Sequence, residues 1–474
     1  MFIYEVRDLK SEIKSMIKVI SSNLLVMLIG IVQTFMLPYM LEPTEYGYWS
    51  LFVLYIGYAG FIILGFCDGF YLKYGGKRYE DIDKKLFSGY HWILFCYLTL
   101  MFLVWCLSIM MLLPYDKRSV VLIFIGIGSV LACQNSYFIL LNQATGRFSI
   151  YAKGNVIEKI VILIVSLGCM IIPNVNCYYI ICASIIGKSL TTIYFAFYSR
   201  DIIFLKPQFN KKFWSSVVDN VRIGFTLTLS GVGAMLMTGF GRFVVENKLG
   251  IEELGYYSLM FSVSALFTQL IYAVSTVLYP VLRRVDGAKA KFLLRNIDQV
   301  IINFGGVILI LYYPVRYLLE ILFPRYRPAM NCILYLFPII ICQTRMTLVY
   351  NTIYKVLRWE KQLLNNAIVS LIFCIISTFM LFKLKPDKES VALATYIAFL
   401  FWNMCATSYY RKKEGLKKQL IGSDTILCII YIIANCFFGY SFLSFIVTLV
   451  TILLTLILKN KQTIKIIKEF REIM

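Results

Sequence analysis

The sequence predicts an all-α, polytopic membrane protein with about fourteen transmembrane helices, arranged as two parallel six-helix lobes followed by a C-terminal helix pair. Three observations predict this class: the composition, the length of the apolar runs and a phrase that occurs twice. Of the 474 residues, 59% are hydrophobic and only 15% are charged, whereas a soluble domain usually carries about 25% charged residues. A chain this apolar needs lipid as its solvent, in which helices satisfy their own backbone groups.

The apolar runs have the length that a bilayer requires. A hydrocarbon core of ~30 Å is crossed by about 20 helical residues, and short polar loops separate the runs that reach this length. The predicted spans lie near 18–41, 48–70, 89–113, 119–142, 154–173, 176–199, 220–244, 254–281, 297–318, 329–353, 363–382, 390–410, 424–439 and 441–458. The tail that follows predicts a short basic amphipathic helix on the cytoplasmic surface.

The basic residues orient the predicted bundle. With the N-terminus in the cytoplasm, the inside segments hold 32 Lys and Arg residues and the outside segments hold 8. Because basic residues are enriched in short cytoplasmic loops, this asymmetry predicts that both termini are cytoplasmic. The net charge of +21 is spread over these loops and forms no single basic patch, so it does not indicate a nucleic-acid partner.

A repeated phrase divides the chain into halves. Residues 41–51 read LEPTEYGYWSL and residues 249–259 read LGIEELGYYSL, with six of eleven positions identical at an offset of 208. The same offset carries predicted helices 3, 4 and 5 onto 9, 10 and 11, and helix 6 onto 12 with a slip of a few residues. We therefore predict lobes at 1–200 and 201–415, related as parallel repeats, with an extra helix pair and tail at 416–474.

The phrase itself is expected to be structural. Gly47 and Gly255 suit a tight turn, the acidic residues can cap the helix that follows, and the tyrosines suit the membrane interface. Both copies fall in loops that are predicted to lie outside, and we do not expect either copy to contact the substrate directly.

Other chemistries find little support in the sequence. The 13 Cys residues are scattered, mostly inside apolar runs, where they are expected to act as small apolar core residues. There is no CxxC pair to hold a metal, no P-loop and no dinucleotide fingerprint, and the motif at 81–83 lies in a loop too short for a sugar-nucleotide domain. We predict no metal, no cofactor and no enzymatic activity.

Basic residues deep inside the predicted spans are the candidate substrate-binding residues, namely Arg242, Arg345, Lys188 and Lys159. A charge at mid-bilayer costs roughly 2.5–3.5 kcal/mol even on the most lenient insertion scale. Each of these residues is therefore expected to face a wet cavity, to find a partner or to extend its charge toward the interface.

Acidic residues inside the predicted spans are fewer, namely Asp68, Glu158 and Glu246, so the interior is predicted to be net cationic. Glu158 and Asp68 are candidates for coupling transport to an ion. Glu158 and Lys159 are neighbours that point about 100° apart on a helix. They cannot share a face, so one of them is expected to pair across helices, or Lys159 to extend inward.

Arg242 has two possible settings. It shares one helix face with four small or polar residues: Gly224, Thr228, Gly231 and Thr238. Such a stripe is typical of a helix that lines water or packs closely against a neighbour. The alternative is a local pair with Glu246, four residues further along the helix.

Lys188 and Arg345 are interpreted as cavity residues. Lys188 shares its face with three hydroxyl residues: Ser184, Thr192 and Ser199. Arg345 lies near the middle of predicted helix 10, too deep for its charge to reach the interface easily. Pro338 can kink that helix and alter the geometry.

Two stretches are similar to one family of transporters. They read MLPYMLEPTEYGYWSLFVLYIGYAGFIILGFCDGFYLKYGG and VRIGFTLTLSGVGAMLMTGFGRFVVENKLGIEELGYYSLMFSVSALFTQLIYAVSTVLYPVLRR. They resemble the opening, and helices 7 and 8, of polysaccharide-biosynthesis flippases of the multidrug/oligosaccharidyl-lipid/polysaccharide exporter superfamily. The family pattern has an Asp-Arg pair near the outer end of helix 7 and Gly-x-Tyr-Ser after the turn. Here Arg242 follows Gly241 instead of Asp, and Gly255–Ser258 matches the second motif.

The resemblance implies a flippase that moves an undecaprenyl-pyrophosphate-linked oligosaccharide, a repeat unit of O-antigen or capsule, from the inner to the outer leaflet of the bacterial inner membrane. It implies alternating access through a cationic central cavity, in which the four deep basic residues would contact the head group. Membrane lipid, a polysaccharide polymerase and other export proteins are the expected partners, and the chain is expected to act as a monomer.

Two alternatives stay open. A multidrug or small-solute antiporter of the same superfamily would have a hydrophobic cavity with acidic residues. A membrane polysaccharide polymerase or ligase would display a long extracytoplasmic loop, whereas the longest outside loop here has about ten residues.

Overall fold

The computed structural model describes residues 2–172, 174–284, 287–357, 359–416 and 422–473, with side chains described at most positions outside 2–20, 272–291 and 460–473. The chain divides into two compact units, residues 1–231 (unit 1) and residues 232–474 (unit 2). Every regular element within the described ranges is helical, which confirms the all-α class.

Unit 1 contains the elements of the first six predicted spans. Its helices are α1 (Phe2–Met40), α2 (Pro43–Tyr58), α3 (Phe66–Tyr74), α4 (Lys84–Leu112), α5 (Lys117–Ala144), α6 (Phe148–Cys169), α7 (Cys177–Tyr198), α8 (Arg200–Ile203) and the first part of α9 (Lys211–Leu249). The second predicted span falls on α2 and α3 together, with a short 3₁₀ turn between them.

Unit 2 contains the remaining elements. After the end of α9, its helices are α10 (Ile251–Arg284), α11 (Gly287–Ile310), α12 (Tyr312–Leu322), α13 (Met330–Leu336), α14 (Ile339–Thr344), a π-helical turn (Arg345–Tyr350), α15 (Asn351–Val356), α16 (Glu360–Leu384), α17 (Lys388–Lys413), α18 (Ser423–Phe438) and α19 (Phe442–Ile473). α9 therefore begins in unit 1 and ends in unit 2. The division of the structure into compact units falls at residue 231, whereas the lobe boundary predicted from the sequence is at residue 200. The predicted lobe boundary stays a prediction.

All fourteen predicted spans coincide with single helices or with runs of consecutive helices, the tenth being the most divided. Within the described residues, eight helices are long and apolar enough to cross a membrane, and ten spans result if each of two bent pairs counts as one. Many large apolar side chains on these helices are exposed, such as Leu100, Leu103 and Leu107 on α4, as expected of surfaces that face lipid tails. The chain is a multi-pass membrane protein.

Two of the spans are broken, one at a proline and the other at a glycine. The pair formed by residues 324–336 and 339–354 is bent by 47°, and Pro338 precedes α14 at this break, as predicted. The pair formed by residues 43–61 and 66–74 is bent by 55°. There Gly65 adopts a φ of +76°, a left-handed conformation that glycine adopts without strain.

The broken second span packs backbone to backbone against α9. A Cβ on Gly65 would lie 2.4 Å from the carbonyl carbon of Gly224, and a Cβ on Gly69 would lie 1.9 Å from the carbonyl oxygen of Asn220. Only glycine permits this approach, which is the kind of close helix packing that small residues allow in membranes. Of the two roles predicted for the stripe on α9, close packing against a neighbouring helix is the one observed at Gly224.

Three loops predicted to be cytoplasmic meet at one end of unit 1. Asp201 accepts a hydrogen bond from the Tyr79 hydroxyl at 2.7 Å and forms an ion pair with Lys84 at 2.7 Å. The Arg147 guanidinium lies over the Tyr79 ring at 3.9 Å and donates to the Tyr198 carbonyl. Burial acts to raise the pKa of Asp201, but the hydrogen bonds from Lys84 and Tyr79 outweigh it and lower the pKa below its ordinary value.

The repeated phrase forms the same contact in each unit. Glu45 forms an ion pair with Lys117 at the start of α5, and Tyr48 places its ring 5.1 Å from the same ammonium group. In unit 2, Glu253 lies 2.8 Å from Lys388 at the start of α17, and the Tyr256 ring lies 5.4 Å from that ammonium group. We call each Glu-x-x-Tyr arrangement a lysine clasp.

The clasps join loops that the sequence places outside. Glu45 also accepts a hydrogen bond of 2.8 Å from the backbone amide of Cys177, at the start of α7. One carboxylate thus ties the start of α2 to the first turns of two further helices. This explains the phrase as a structural device, as expected, although Gly47 and Gly255 lie inside α2 and α10 and not in the tight turn predicted for them.

Replacing Glu45 with glutamine is expected to lower the free energy of unfolding by about 1–2 kcal/mol, because Lys117 and the Cys177 amide lose a charged acceptor. Unfolding by SDS in mixed micelles measures this loss. The matched control is Glu42→Gln, since Glu42 is exposed and its side chain does not cap α2. An equal loss in both variants would contradict a stabilising clasp.

The C-terminal tail continues the last span. The structure extends α19 to Ile473 without a break, so the separate short helix predicted after Lys459 is wrong. The side chains beyond Lys459 lie outside the described positions, and the predicted amphipathic face stays a prediction.

Candidate functional site

Lys188 and Glu158 form a buried ion pair in unit 1. The Lys188 Nζ lies 2.7 Å from Glu158 Oε1, and the Ser184 hydroxyl donates to the same oxygen at 3.0 Å. α6 and α7 approach closely here, since a Cβ on Gly187 would lie 2.9 Å from the Glu158 Cα. The side chains are only 11% and 21% exposed, so the pair satisfies two charges that would be costly alone.

The polar face of α7 is also occupied by contacts within the protein. The Asn135 amide of α5 donates to the Lys188 carbonyl at 3.1 Å, and the Thr192 hydroxyl donates to Asn135 Oδ1 at 2.8 Å. These bonds hold α7 against α5 and fix the position of the Lys188 backbone. The stripe that suggested a wet cavity is, at these residues, a packing interface.

Lys159 differs from Lys188, the other candidate cation of unit 1. Among the side chains that the structure describes, it forms no ion pair, whereas its neighbour Glu158 is bound to Lys188. Its backbone carbonyl accepts a hydrogen bond of 3.3 Å from the Gln33 amide of α1. The residue as a whole is partly accessible, and its contact with substrate stays a prediction.

Arg345 lies between two carboxylates in unit 2. Its Nε lies 2.9 Å from Asp298 Oδ1 on α11, and its Nη1 lies 2.8 Å from Asp424 Oδ2 on α18. The exposed fractions are 7% for Arg345, 16% for Asp298 and 6% for Asp424. This buried triad joins three helices, including one of the extra C-terminal pair.

A π-helical turn completes the Arg345 site. Arg345 Nη2 lies 3.1 Å from the Tyr350 hydroxyl, which in turn accepts a hydrogen bond of 2.7 Å from Thr407. In a regular α-helix, residues five apart point about 140° away from each other. The π-helical geometry at 345–350 widens the turn and brings Arg345 and Tyr350 together, and such turns are frequent at functional sites.

The sequence reasoning missed both carboxylates of this triad. Asp298 and Asp424 open the predicted spans at 297 and 424, where they were not counted among the interior acids. Arg345 lies eight residues before the end of its own span at 353, or ~12 Å along a helix. The signal in the sequence was that all three residues lie toward the same predicted side of the membrane.

Arg242 is stacked on an aromatic ring. Its guanidinium carbon lies 4.0 Å from the centre of the Phe261 ring on α10. Glu246, the alternative partner, is buried and accepts a hydrogen bond of 2.7 Å from the Asn247 amide. Gly241 occupies the position where the resembling family has Asp. A Cβ there would lie 3.0 Å from the Thr395 hydroxyl and 3.1 Å from the Tyr257 hydroxyl.

Asp68 belongs to the packed break in the second span. It lies in the first turn of α3 and accepts a hydrogen bond of 2.8 Å from the Thr228 hydroxyl of α9. Thr228 belongs to the stripe predicted beside Arg242, whereas Gly231 lies outside the positions whose surroundings are described. The coupling role predicted for Asp68 and Glu158 stays a prediction.

The deep charges thus form separate groups. Lys188 pairs with Glu158, Lys159 lies beside that pair in unit 1, Arg345 lies in the triad of unit 2, and Arg242 lies over Phe261. The interior has less unpaired positive charge than the sequence predicted. Lys188 is paired with one carboxylate and Arg345 with two.

The sequence pattern of the family described as "Polysaccharide biosynthesis protein" matches residues 13–285, more than half of the chain. The chain belongs to this family. No curated protein sequence matches the chain significantly.

Solved structures of transporters share the fold of this polysaccharide biosynthesis protein. "Lipid II flippase MurJ, inward closed conformation" has a TM-score of 0.61 at 14% identity, covering 95% of this chain and 99% of that one. An inward-facing multidrug resistance MATE family transporter of the MOP superfamily has a TM-score of 0.60 at 11% identity, covering 82% and 94%. A mutant of the Vibrio cholerae MATE transporter VcmN has a TM-score of 0.55 at 12% identity, covering 85% and 96%.

Proposed function

We propose that this protein is a flippase that moves an undecaprenyl-pyrophosphate-linked oligosaccharide, a repeat unit of O-antigen or capsule, from the inner to the outer leaflet of the bacterial cytoplasmic membrane. The supporting observation is its membership of the polysaccharide biosynthesis family. The fold shared over nearly the whole length with a lipid II flippase adds to this, since that substrate is also lipid-linked. Both termini are proposed to be cytoplasmic, and the protein is proposed to work by alternating access.

The chemistry of the substrate requires cations within the membrane. A diphosphate head group cannot cross hydrocarbon unaided, and Lys and Arg side chains supply charge-assisted hydrogen bonds to phosphate oxygens. Lys159 is the strongest candidate, because its ammonium group forms no ion pair among the described side chains, although the neighbouring Glu158 carboxylate acts on its charge at longer range. Arg242 is the second, because its guanidinium lies within a predicted span against an aromatic ring, and a guanidinium group suits phosphate oxygens.

Lys188 and Arg345 are proposed to act differently from the sequence-based expectation. A phosphate that reached Lys188 would have to displace Glu158, and protonation of Glu158 would weaken its hold on Lys188. Glu158 is therefore a candidate for coupling a proton to head-group binding. The two carboxylates around Arg345 favour a structural role for that residue.

Deletion of the gene tests the proposed class. Cells that lack a flippase should lose the surface polymer and accumulate lipid-linked repeat units on the inner leaflet. Unchanged surface polymer would refute the proposal. Because a MATE family transporter also shares the fold, with a TM-score of 0.60, the same strain should be tested for drug sensitivity. Increased sensitivity with normal surface polymer would favour the antiporter.

Lys159→Gln is expected to reduce export of the polymer roughly tenfold to hundredfold, because one charge-assisted hydrogen bond of about 1.5–3 kcal/mol to the head group is lost. The measurement is surface polysaccharide per cell at matched protein level in the membrane.

The matched control for this variant is Lys153→Gln, which removes the same charge from an exposed position nearly two turns earlier on α6. It should leave export unchanged. Equal export by the two variants would exclude Lys159 from head-group binding without deciding the class of the protein.

A further inference from the structure

A polar cavity of about 340 Å³ lies within unit 2, apart from the deep cations discussed above as head-group contacts. Its wall combines polar and apolar residues from α11, α15, α17, α19, the π-helical turn and the segment that follows α17. The residues that carry its chemistry are Arg295, Asp298, Tyr410, Arg411 and Lys459. All of these lie near the ends of predicted spans that the sequence places on the cytoplasmic side.

The charge around the cavity is positive on balance. Arg295, Arg411 and Lys459 reach it from three different helices, and Asp298 is the carboxylate among its lining residues. Asp298 is already engaged by Arg345 at 2.9 Å. With Glu414 on the turn after α17 and with Arg345 and Asp424 of the triad included, four basic groups face three carboxylates.

The position of the cavity favours a lipid over a soluble ligand. Lys459 ends the apolar stretch of α19 that is long enough to span a membrane, and Ile457 and Leu458 immediately before it are 69% and 81% exposed. The cavity therefore opens at the level where apolar surface gives way to charge. Phospholipid phosphates lie at that depth in a bilayer.

The wall also offers groups suited to such a ligand. The Tyr350 hydroxyl and Thr407 lie side by side at 2.7 Å, and both line the cavity together with the apolar side chains of Val349 and Ile353. Thr407 donates to Tyr350 and Tyr350 donates to Asp298, so the phosphate is left to the basic groups, while the aliphatic groups can contact the start of an acyl chain. A basic pocket between transmembrane helices is a setting that suits anionic head groups.

We propose that this cavity binds the phosphate head group of an anionic membrane phospholipid, held by Arg295, Arg411 and Lys459. The bound lipid bridges α11, α17 and α19 and thereby fastens the last helix of the C-terminal pair to the rest of unit 2. The site is distinct from the proposed substrate contacts, and its lipid would be a resident of the membrane rather than cargo.

The test uses the full-length protein, purified in detergent and stripped of lipid. Native mass spectrometry measures the retention of added phosphatidylglycerol, with phosphatidylcholine of the same acyl chains as the uncharged comparison. We expect selective retention of phosphatidylglycerol by the unaltered protein. We expect about tenfold or greater weakening of that binding in a variant carrying Arg295→Gln, Arg411→Gln and Lys459→Gln.

A matched triple variant controls for net charge. Lys77→Gln, Arg78→Gln and Lys85→Gln remove three exposed basic residues from a loop region predicted to face the same side, and this variant should keep selective binding. If both triple variants lose the lipid equally, binding reflects general surface charge and the site is refuted. Equal retention by both variants also refutes it.

Two further arms separate the remaining outcomes. Inorganic phosphate is added as a competitor, and displacement of phosphatidylglycerol at millimolar phosphate would assign the cavity to a soluble anion and overturn the lipid proposal. If the triple variant fails to fold, Lys459→Gln alone is used, and undiminished lipid retention by that variant contradicts the proposal. None of these readouts depends on transport, so the proposed flippase activity stands or falls separately.

Discussion

Arg345→Gln is expected to destabilise the protein by about 3–5 kcal/mol, because it leaves two buried carboxylates without their cation. Asp298 and Asp424 come from different helices, and both contact the same guanidinium. The melting temperature in detergent and the amount of protein in the membrane measure the effect. The control is Arg325→Gln, since Arg325 is exposed in the segment between α12 and α13, and this change should be nearly neutral.

A triple variant separates the structural role of Arg345 from a role in transport. Arg345→Gln combined with Asp298→Asn and Asp424→Asn removes all three charges together, and replacing a complete buried ionic group often costs little. We expect this variant to fold and to export polymer at near-normal levels. Recovered folding with absent export would instead show that the Arg345 charge acts on substrate, as the sequence first suggested.

Gly69→Ala is expected to lower the free energy of unfolding by about 3 kcal/mol or more, at the upper end of overpacking effects. The added Cβ would lie 1.9 Å from the carbonyl oxygen of Asn220, and a backbone atom of α9 cannot rotate away as a flexible side chain can. Relief requires α3 and α9 to separate, which would also break the hydrogen bond between Asp68 and Thr228. Thermal unfolding measures the loss.

The same substitution at Gly30 is the control for Gly69→Ala. Gly30 lies within α1, and a Cβ added there would have no atom within 4 Å among its described surroundings. Alanine should therefore be neutral at this position or stabilising by up to about 1 kcal/mol. Equal melting temperatures for the two variants would show that α3 and α9 do not pack as closely as described.

The spans could be predicted from the sequence because a run of about 20 apolar residues indicates a helix that is surrounded by lipid. Residue periodicity also identified the correct faces of α7 and α9, but it did not identify what covers them. Ser184 was expected to line water and instead binds Glu158. A helical pattern states which residues point the same way, whereas the identity of the neighbouring helix is a tertiary property.

The charge partners were harder to predict than the charges. Either Glu158 or Lys159 was expected to pair across helices, yet nothing in the local pattern selects Lys188 as the partner of Glu158, 30 residues away. The Arg345 triad escaped because its acids lie in the first turns of their spans, where a carboxylate is ordinarily a solvated cap. The π-helical turn escaped because the 3.6-residue period assumed for the sequence places Tyr350 on a different face from Arg345.

The two lysine clasps bear on the history of the halves. Position 325 corresponds to Lys117 at the offset of 208 and holds a basic residue, Arg325, yet Glu253 is bound by Lys388 instead. If the halves descend from one duplicated ancestor, the acidic residue was inherited while its partner moved to another helix. In such a protein, the glutamate of the clasp is then a better guide to ancestral contacts than its lysine partner.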